Sequence, residues 1–413
     1  MTRPAPPTPR FGANYTPSKD WFYGWYHLDK DAASADFEQI AALGLDHVRL
    51  FCLWPHIQPN RSYVDEHVLD DLADLVARAH AAGLDTNVDV LQGHMSGMEF
   101  MPAWLSTRHR RSIYADPDVV AAEEELLTAV AARLRAVPGF LGITLGNEMN
   151  LLVGEYPTTT DEVGAWLPRL LAACRRGAPG ATHLHSTYDA AFYLPDHPFT
   201  PEHVGGEGDL AAVHSWVFNG TVQRYGSGSV QVERHAEYLI QLATAHLDDP
   251  ARPVWLQEVG APRPLIADAD VESFVHATVR NALDCPGLWG VTWWSSHAVD
   301  RRFTDFNDLE HELGLYGADG NPTPTGRAFA DAVAEARAKP SLPAPRTLAV
   351  RLPDNAPGAD PRGEYGPGGR VFDTWMRLAA AGARPALVRG ADVASGAAAR
   401  WGIGEVVEVD PAT

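Results

Sequence analysis

A chain of 413 residues, 45% hydrophobic and 21% charged, is long enough to bury a large core, and its composition excludes disordered and collagen-like classes. With 33 basic against 53 acidic side chains the formal net charge is −20, which disfavours nucleic acid, anionic membranes and polyanionic ligands and leaves neutral ligands as the expected partners. Cys52, Cys174 and Cys285 lie far apart with no Cys-x-x-Cys pair, and neither a signal-peptide core nor an apolar run of about 20 residues occurs, so a cytoplasmic protein without disulfides is expected.

In chain order, β-rich runs at 11–16, 47–54, 85–93, 140–150, 182–189, 209–216, 253–260 and 287–297 alternate with amphipathic stretches at 32–43, 65–82, 117–136, 161–176, 230–246, 268–284 and 324–338. The stretch 65–82 is the clearest: Val68, Leu69, Leu72, Leu75, Val76 and Ala79 recur at three- and four-residue spacings, and Gly83 follows as a stop. Residues 190–208 carry too much proline and glycine for a helix. Strands alternating with helices imply parallel βαβ units, and eight of them predict an α/β fold, a (β/α)8 TIM barrel, over residues 1–338. An open doubly wound sheet is the alternative, but Asn14-Tyr15-Thr16-Pro17 stands where a Gly-x-Gly-x-x-Gly turn would follow the first strand.

A proline-rich stretch, 339–346, reads as a linker, and residues 347–413 as a small C-terminal α/β accessory domain for packing or homo-oligomerisation. Its glycine-rich loop, 363–369, is followed by no lysine and is not a phosphate cradle.

In a parallel barrel the reactive side chains gather at the C-terminal ends of the strands. Glu148, in Gly146-Asn147-Glu148-Met149-Asn150, ends the fourth run, and Glu258, in Trp255-Leu256-Gln257-Glu258-Val259-Gly260, ends the seventh. Either carboxylate alone could be a structural ion pair, since holding one among apolar residues is costly without partners. Two at one rim form the pair that glycosidic bond cleavage needs, one to protonate the leaving oxygen and one to attack the anomeric carbon or activate water.

With these residues the chain resembles the retaining glycoside hydrolases of the cellulase and β-mannanase superfamily, family 5 in particular, over roughly residues 10–335. The resemblance implies Glu148 as acid/base, Glu258 as nucleophile, Arg49 as the cation holding the nucleophile ionised and lowering its pKa, Asn147 as the group on the sugar 2-hydroxyl, and matches at His214 and Trp294, with Arg49 and His214 counted among the substrate-binding residues. One departure stands out: the family has a tyrosine two residues after the strand-six histidine, and here the run is His214-Ser215-Trp216. Either another hydroxyl, that of Tyr188 or Tyr15, takes that part, or the nucleophile is oriented without it. Trp54, Trp216, Trp293 and Trp294 sit at strand ends with faces suited to sugar rings, and His94 and His297 are polar candidates at the rim. Glu310-His311-Glu312 fits no metal motif, and neither metal nor cofactor is expected.

Two long loops, 93–116 and 297–316, would wall the cleft into a pocket and favour exo-action. An intracellular barrel with this C-terminal module is similar to bacterial exo-β-mannosidases that act on short β-1,4-mannosides, including mannosyl-N-acetylglucosamine. Gly12-Ala13-Asn14-Tyr15 also resembles barrel β-galactosidases; an endo-β-mannanase and a carbohydrate-binding barrel without turnover complete the alternatives.

Overall fold

Seven strands are buried along nearly their whole length, as a sheet covered outside by helices and closed on itself inside requires. They are β1 (Arg10–Asn14), β2 (His47–Leu53), β3 (Asp85–Gln92), β4 (Phe140–Thr144), β5 (Ala211–Ser215), β6 (Val254–Val259) and β7 (Leu288–Trp293). All pair in parallel in the order β4-β3-β2-β1-β7-β6-β5. This computed structural model describes residues 8–107, 110–340, 342–354 and 360–409. Parts of the expected N-terminal region (1–7), first long loop (108–109), linker (341) and C-terminal module (355–359 and 410–413) lie outside the described residues.

The expected fifth strand fills the remaining position between β4 and β5, but as a single bridge, Thr144 to Leu184, and not as a regular strand. Thr182 and Leu184 donate to Leu141 and Ile143 at 2.8 and 2.9 Å, and Leu145 donates back to Leu184 at 2.9 Å. Side chains take the other backbone donors: the His183 ring faces the Ile143 N–H at 3.3 Å, and Asp209 accepts from the His183 N–H at 2.7 Å. Two donors that a regular ladder would use are thereby diverted. The chain therefore closes a (β/α)8 barrel from seven regular strands and one bridged segment.

Helices Lys30–Ala42, Glu66–Ala81, Pro117–Leu134, Thr160–Gly177, His235–Ala245, Val271–Leu283 and Pro324–Ala338 wrap the outside. Their starts follow local capping chemistry: Asp65 accepts from the His67 N–H, and Thr159 with Glu162 forms a reciprocal capping box. The expected helix at 230–246 is divided, a short turn Val230–Glu233 preceding His235–Ala245. No helix among the described residues is long and apolar enough to cross a membrane.

After the barrel come three further parallel strands, β8 (Leu348–Leu352), β9 (Pro385–Arg389) and β10 (Glu405–Val407), ordered β9-β8-β10, with helix Arg370–Ala380 against them. This sheet leans on barrel helix His235–Ala245: Phe372 and Trp375 meet Tyr238 edge-on at 4.9 and 5.4 Å between ring centroids. Arg346 joins Glu237 at 2.7 Å with both side chains buried, and donates to the Pro385 carbonyl at 2.8 Å. Glu237 keeps a second cation, Arg234 at 2.6 Å, so losing Arg346 removes charge-assisted hydrogen bonds without leaving the carboxylate unpaired. Arg346→Ala should therefore lower stability by about 2 kcal/mol, whereas Arg351→Ala, which breaks an exposed pair with Glu408, should cost less than about 1 kcal/mol; urea unfolding of both variants checks the contrast.

Candidate active site

Arg49, on β2, is wholly buried and organises the C-terminal mouth of the barrel. Its guanidinium is bidentate on Asp89 of β3 at 2.6 and 2.9 Å. It also donates to Glu258 Oε1 on β6 at 2.6 Å, to Asn147 Oδ1 after β4 at 2.8 Å and to Asn14 Oδ1 on β1 at 3.1 Å. The fixed fork of donors suits this convergence in a way a lysine would not.

The second oxygen of Glu258 accepts from the Trp216 indole N–H at 3.2 Å. His214, on β5, sets Nδ1 2.6 Å from Glu148 Oε1 and 3.3 Å from Glu258 Oε2, with Nε2 3.1 Å from Gln257 Oε1. Because Gln257 presents its carbonyl oxygen, the neutral ring keeps its hydrogen on Nε2 and turns an acceptor nitrogen toward Glu148. Glu148 itself has left-handed backbone geometry, φ 44 and ψ 45, which costs a non-glycine residue roughly 1–3 kcal/mol and is the kind of strain found at functional sites. Gly260 permits the other half of the site, since a Cβ there would come within 2.9 Å of the Trp216 ring.

An oxygen of Glu148, one of Glu258 and a His214 nitrogen all lie within 4.8 Å of one another. These three residues are the one cluster of metal-ligand type among the described residues, and the guanidinium 2.6 Å from Glu258 already supplies the opposing charge. The carboxylates open onto a cavity of about 350 Å3 that Asn147, Trp216, Trp294 and Tyr188 also line.

Burial pushes the Glu148 carboxyl up to about 8, with Arg49 as the opposing influence. Burial also raises Glu258; His214 and Arg49 pull it back, and Glu148 adds to the rise. Arg49 lowers the Glu258 carboxyl as expected, but it moderates a desolvation effect larger than itself, so the net direction is up. His214 is lowered by burial, in keeping with a neutral ring.

Comparison with solved structures decides the family. A GH5_18 protein from Streptomyces cattleya in complex with GlcNAc matches with a TM-score of 0.95 at 50% identity, over 98% of this chain and 99% of that one. A GH5_18 protein from Bifidobacterium longum subsp. infantis matches at 0.93 and 43%, over 97% of each chain. One from Bifidobacterium longum subsp. longum ATCC 55813, a glutamate-to-alanine variant in complex with Manβ1-4GlcNAc, matches at 0.94 and 41%, over 98% and 96%. The chain belongs to GH5_18, a subfamily of glycoside hydrolase family 5. No protein-family profile matches the chain, and no curated protein does.

For this O-glycosyl hydrolase the expected site residues divide into three groups. Glu148, Glu258, Asn147, Trp216, Trp294 and His94 line the cavity. The His94 carbonyl accepts from Asn147 Nδ2 at 3.2 Å, and burial pulls its ring down to about 4. Arg49 and His214, expected as substrate contacts, are enclosed beneath the cavity floor at 0% and 1% exposure, and act on the carboxylates. Trp54 and His297 lie elsewhere, which corrects both expectations. Trp54 is buried edge-on against Trp104 and donates to Gln58 at 2.8 Å. His297 stacks on Tyr316 and ties Thr16 to Gln39 of the first helix at 3.1 and 3.0 Å.

Neither tyrosine takes the place of the missing family tyrosine. Tyr15 donates to Asp36 at 2.9 Å, and Tyr188 lines the cavity without a hydrogen bond to Glu258. The Trp216 N–H fills that part. Asp89 and Gln257 were missed, although a charged residue inside the buried run Asn87-Val88-Asp89-Val90 was a readable signal.

The raised pKa of Glu148 has a consequence for stability. Its carboxyl is protonated in both states below about 4.5, its ordinary value, and ionised in both above about 8, where the native state bears the full cost of burying the charge. Stability contributed by the neutral form is therefore lost as pH rises from about 4.5 to about 8. Glu148→Gln should leave stability nearly unchanged at pH 4 and raise it at pH 9; urea unfolding across that range checks the sign.

Proposed function

We propose that this glycoside hydrolase is a retaining exo-β-mannosidase that releases mannose from Man-β-1,4-GlcNAc and short manno-oligosaccharides, with Glu258 as nucleophile and Glu148 as acid/base. The observation that carries the reading is the approach of the two carboxylates to within 4.8 Å. A separation of about 5–5.5 Å suits direct attack by one carboxylate, whereas about 6.5–9.5 Å would leave room for a water between carboxylate and sugar.

In the first step the Glu148 carboxylic acid gives its proton to the glycosidic oxygen while a Glu258 oxygen bonds to the anomeric carbon and the bond to the leaving sugar breaks. In the second, the Glu148 carboxylate takes a proton from water, the water oxygen bonds to the anomeric carbon, and the ester bond to Glu258 breaks. Arg49 and Trp216 each hold one oxygen of Glu258, which fixes the angle of attack. Glu148, hydrogen-bonded to a neutral imidazole and to no cation, retains its proton near neutral pH. Asn147, oriented by Arg49 and the His94 carbonyl, is the group suited to the sugar 2-hydroxyl.

Two GH5_18 relatives support the substrate: the Streptomyces cattleya and Bifidobacterium longum subsp. longum proteins were each solved with Manβ1-4GlcNAc. A neutral disaccharide also suits a chain of net charge −20, and the cavity of about 350 Å3 is of small-ligand size. A cytoplasmic setting belongs to the same reading, since Cys52, Cys174 and Cys285 are all unpaired, as a reducing compartment keeps them.

Glu258→Ala and Glu148→Ala should each lower kcat on Man-β-1,4-GlcNAc by at least about 10²-fold. On an activated aryl mannoside, azide should rescue Glu148→Ala with a β-azide product and Glu258→Ala with an α-azide product. The reverse stereochemistry would exchange the two roles. A third measurement is the pH profile: kcat/KM should fall as pH rises through about 8, where the free enzyme loses the Glu148 proton, and Glu148→Ala should lack that alkaline limb.

A further inference from the structure

One acidic side chain in the cavity has no part in the chemistry above. Glu310 sits on the helical turn Asp308–His311, in the segment that follows β7, and lines the same cavity as Glu148, Glu258 and Trp294. The residue is 8% exposed, and among the described residues no lysine, arginine or histidine forms an ion pair with it. Its hydrogen-bond donor is the Ser96 hydroxyl, 3.2 Å from Oε2, and the nearby Trp294 side chain acts to lower its pKa. Ser96 projects from the tight arm His94–Met95 and Met98–Glu99, with a left-handed φ of 52. Two loops from separate strands therefore meet at this carboxylate.

A carboxylate offers about four acceptor positions, and Ser96 occupies one of them. Burial pushes Glu310 up to about 7, with Glu258 and Glu148 adding to the rise. An acid held there without a cation costs stability that a purely structural side chain would not require. The remaining lone pairs face a cavity built for a neutral, hydroxyl-rich ligand.

We propose that Glu310 determines specificity by accepting hydrogen bonds from the 3- and 4-hydroxyls of the mannosyl unit whose bond is broken. This rests on the mannosidase reading. The anomeric carbon of that sugar is committed to the two catalytic carboxylates and its 2-hydroxyl to Asn147, which leaves the far side of the ring to be recognised. The 3- and 4-hydroxyls of mannose are adjacent and equatorial, so their hydrogens reach the two oxygens of one carboxylate. Trp294, in contact with both Glu310 and the cavity, offers its ring to the sugar face between them. Exo-action follows from the same contact: a mannan chain extended at O4 has no hydrogen there to donate, and its next sugar would have to displace Glu310.

The test compares an aryl β-mannoside with its 3-deoxy and 4-deoxy analogues in the native enzyme, Glu310→Ala and Glu310→Gln. The native enzyme should prefer the parent by roughly tenfold or more in kcat/KM, the usual effect of removing a hydrogen bond to a charged group. In Glu310→Ala that preference should fall to about onefold because activity on the parent alone is lost, and Glu310→Gln should lie between. Both variants should unfold at or above the native urea midpoint, since a buried charge has been removed. An unchanged ratio of parent to deoxy substrate in the variants would overturn the assignment of Glu310 while leaving the mannosidase reading intact. Native turnover of aryl β-galactoside in place of β-mannoside would overturn that reading, and this proposal with it.

Discussion

A single guanidinium holds the mouth of this barrel together. Arg49 is entirely enclosed, and its hydrogen bonds reach β1, β3, β6 and the turn after β4. A buried cation is tolerable only when its donors are matched, and here Asp89 and Glu258 bring the opposing charge while Asn14 and Asn147 bring neutral acceptors. The geometry of every group around Glu258 is thus tied to the electrostatic needs of one side chain. Asp89 carries a carboxylate that never meets the cavity, so that Glu258 does not have to neutralise Arg49 alone. The two glutamates then differ through their surroundings: one is hydrogen-bonded to the arginine and an indole, the other to a neutral imidazole.

The two carboxylates of that centre were legible in the sequence because charge after an apolar run is expensive and therefore conspicuous, as Glu258 is in Leu256-Gln257-Glu258-Val259. Arg49 and His214 were reached only through the resemblance to family 5. The barrel was legible for a related reason, since alternating strand and helix periods admit few closed architectures. The fifth strand was harder. Its run, Thr182-His183-Leu184-His185-Ser186-Thr187, carries a single aliphatic residue, and His183 and Asp209 divert backbone donors; hydrogen-bond competition of this kind leaves no trace in periodicity.

Position along a strand says little about which way a terminal side chain turns. Trp54 and Trp294 both follow the last residue of a strand, but the chain after β2 folds at once into the turn Trp54–Ile57 and carries the indole under Trp104, while Trp294 stays over the cavity. His297 is drawn away by Gln39 and Tyr316. Trp216 shows the complementary difficulty. Its ring was read as an apolar platform, and its N–H turned out to do what a tyrosine hydroxyl does in the wider family. Loop residues such as Glu310 have no period at all, and only the folded arrangement reveals that two separate loops converge on one carboxylate.

Arg362, in the segment before helix Arg370–Ala380, is 7% exposed and reaches into the barrel's irregular fifth connection, donating to the carbonyls of Ala191, His197 and Phe199 at 3.3, 3.1 and 2.9 Å. The His197 ring in turn meets the Asn150 carbonyl at 3.2 Å, two residues beyond Glu148. A region with few regular hydrogen bonds of its own has therefore been splinted from outside, by chain that lies more than 150 positions downstream. Removing the turn that carries Arg362 would take three hydrogen bonds from the backbone that leads back to Glu148, so this stretch of the barrel wall depends mechanically on residues that follow the barrel.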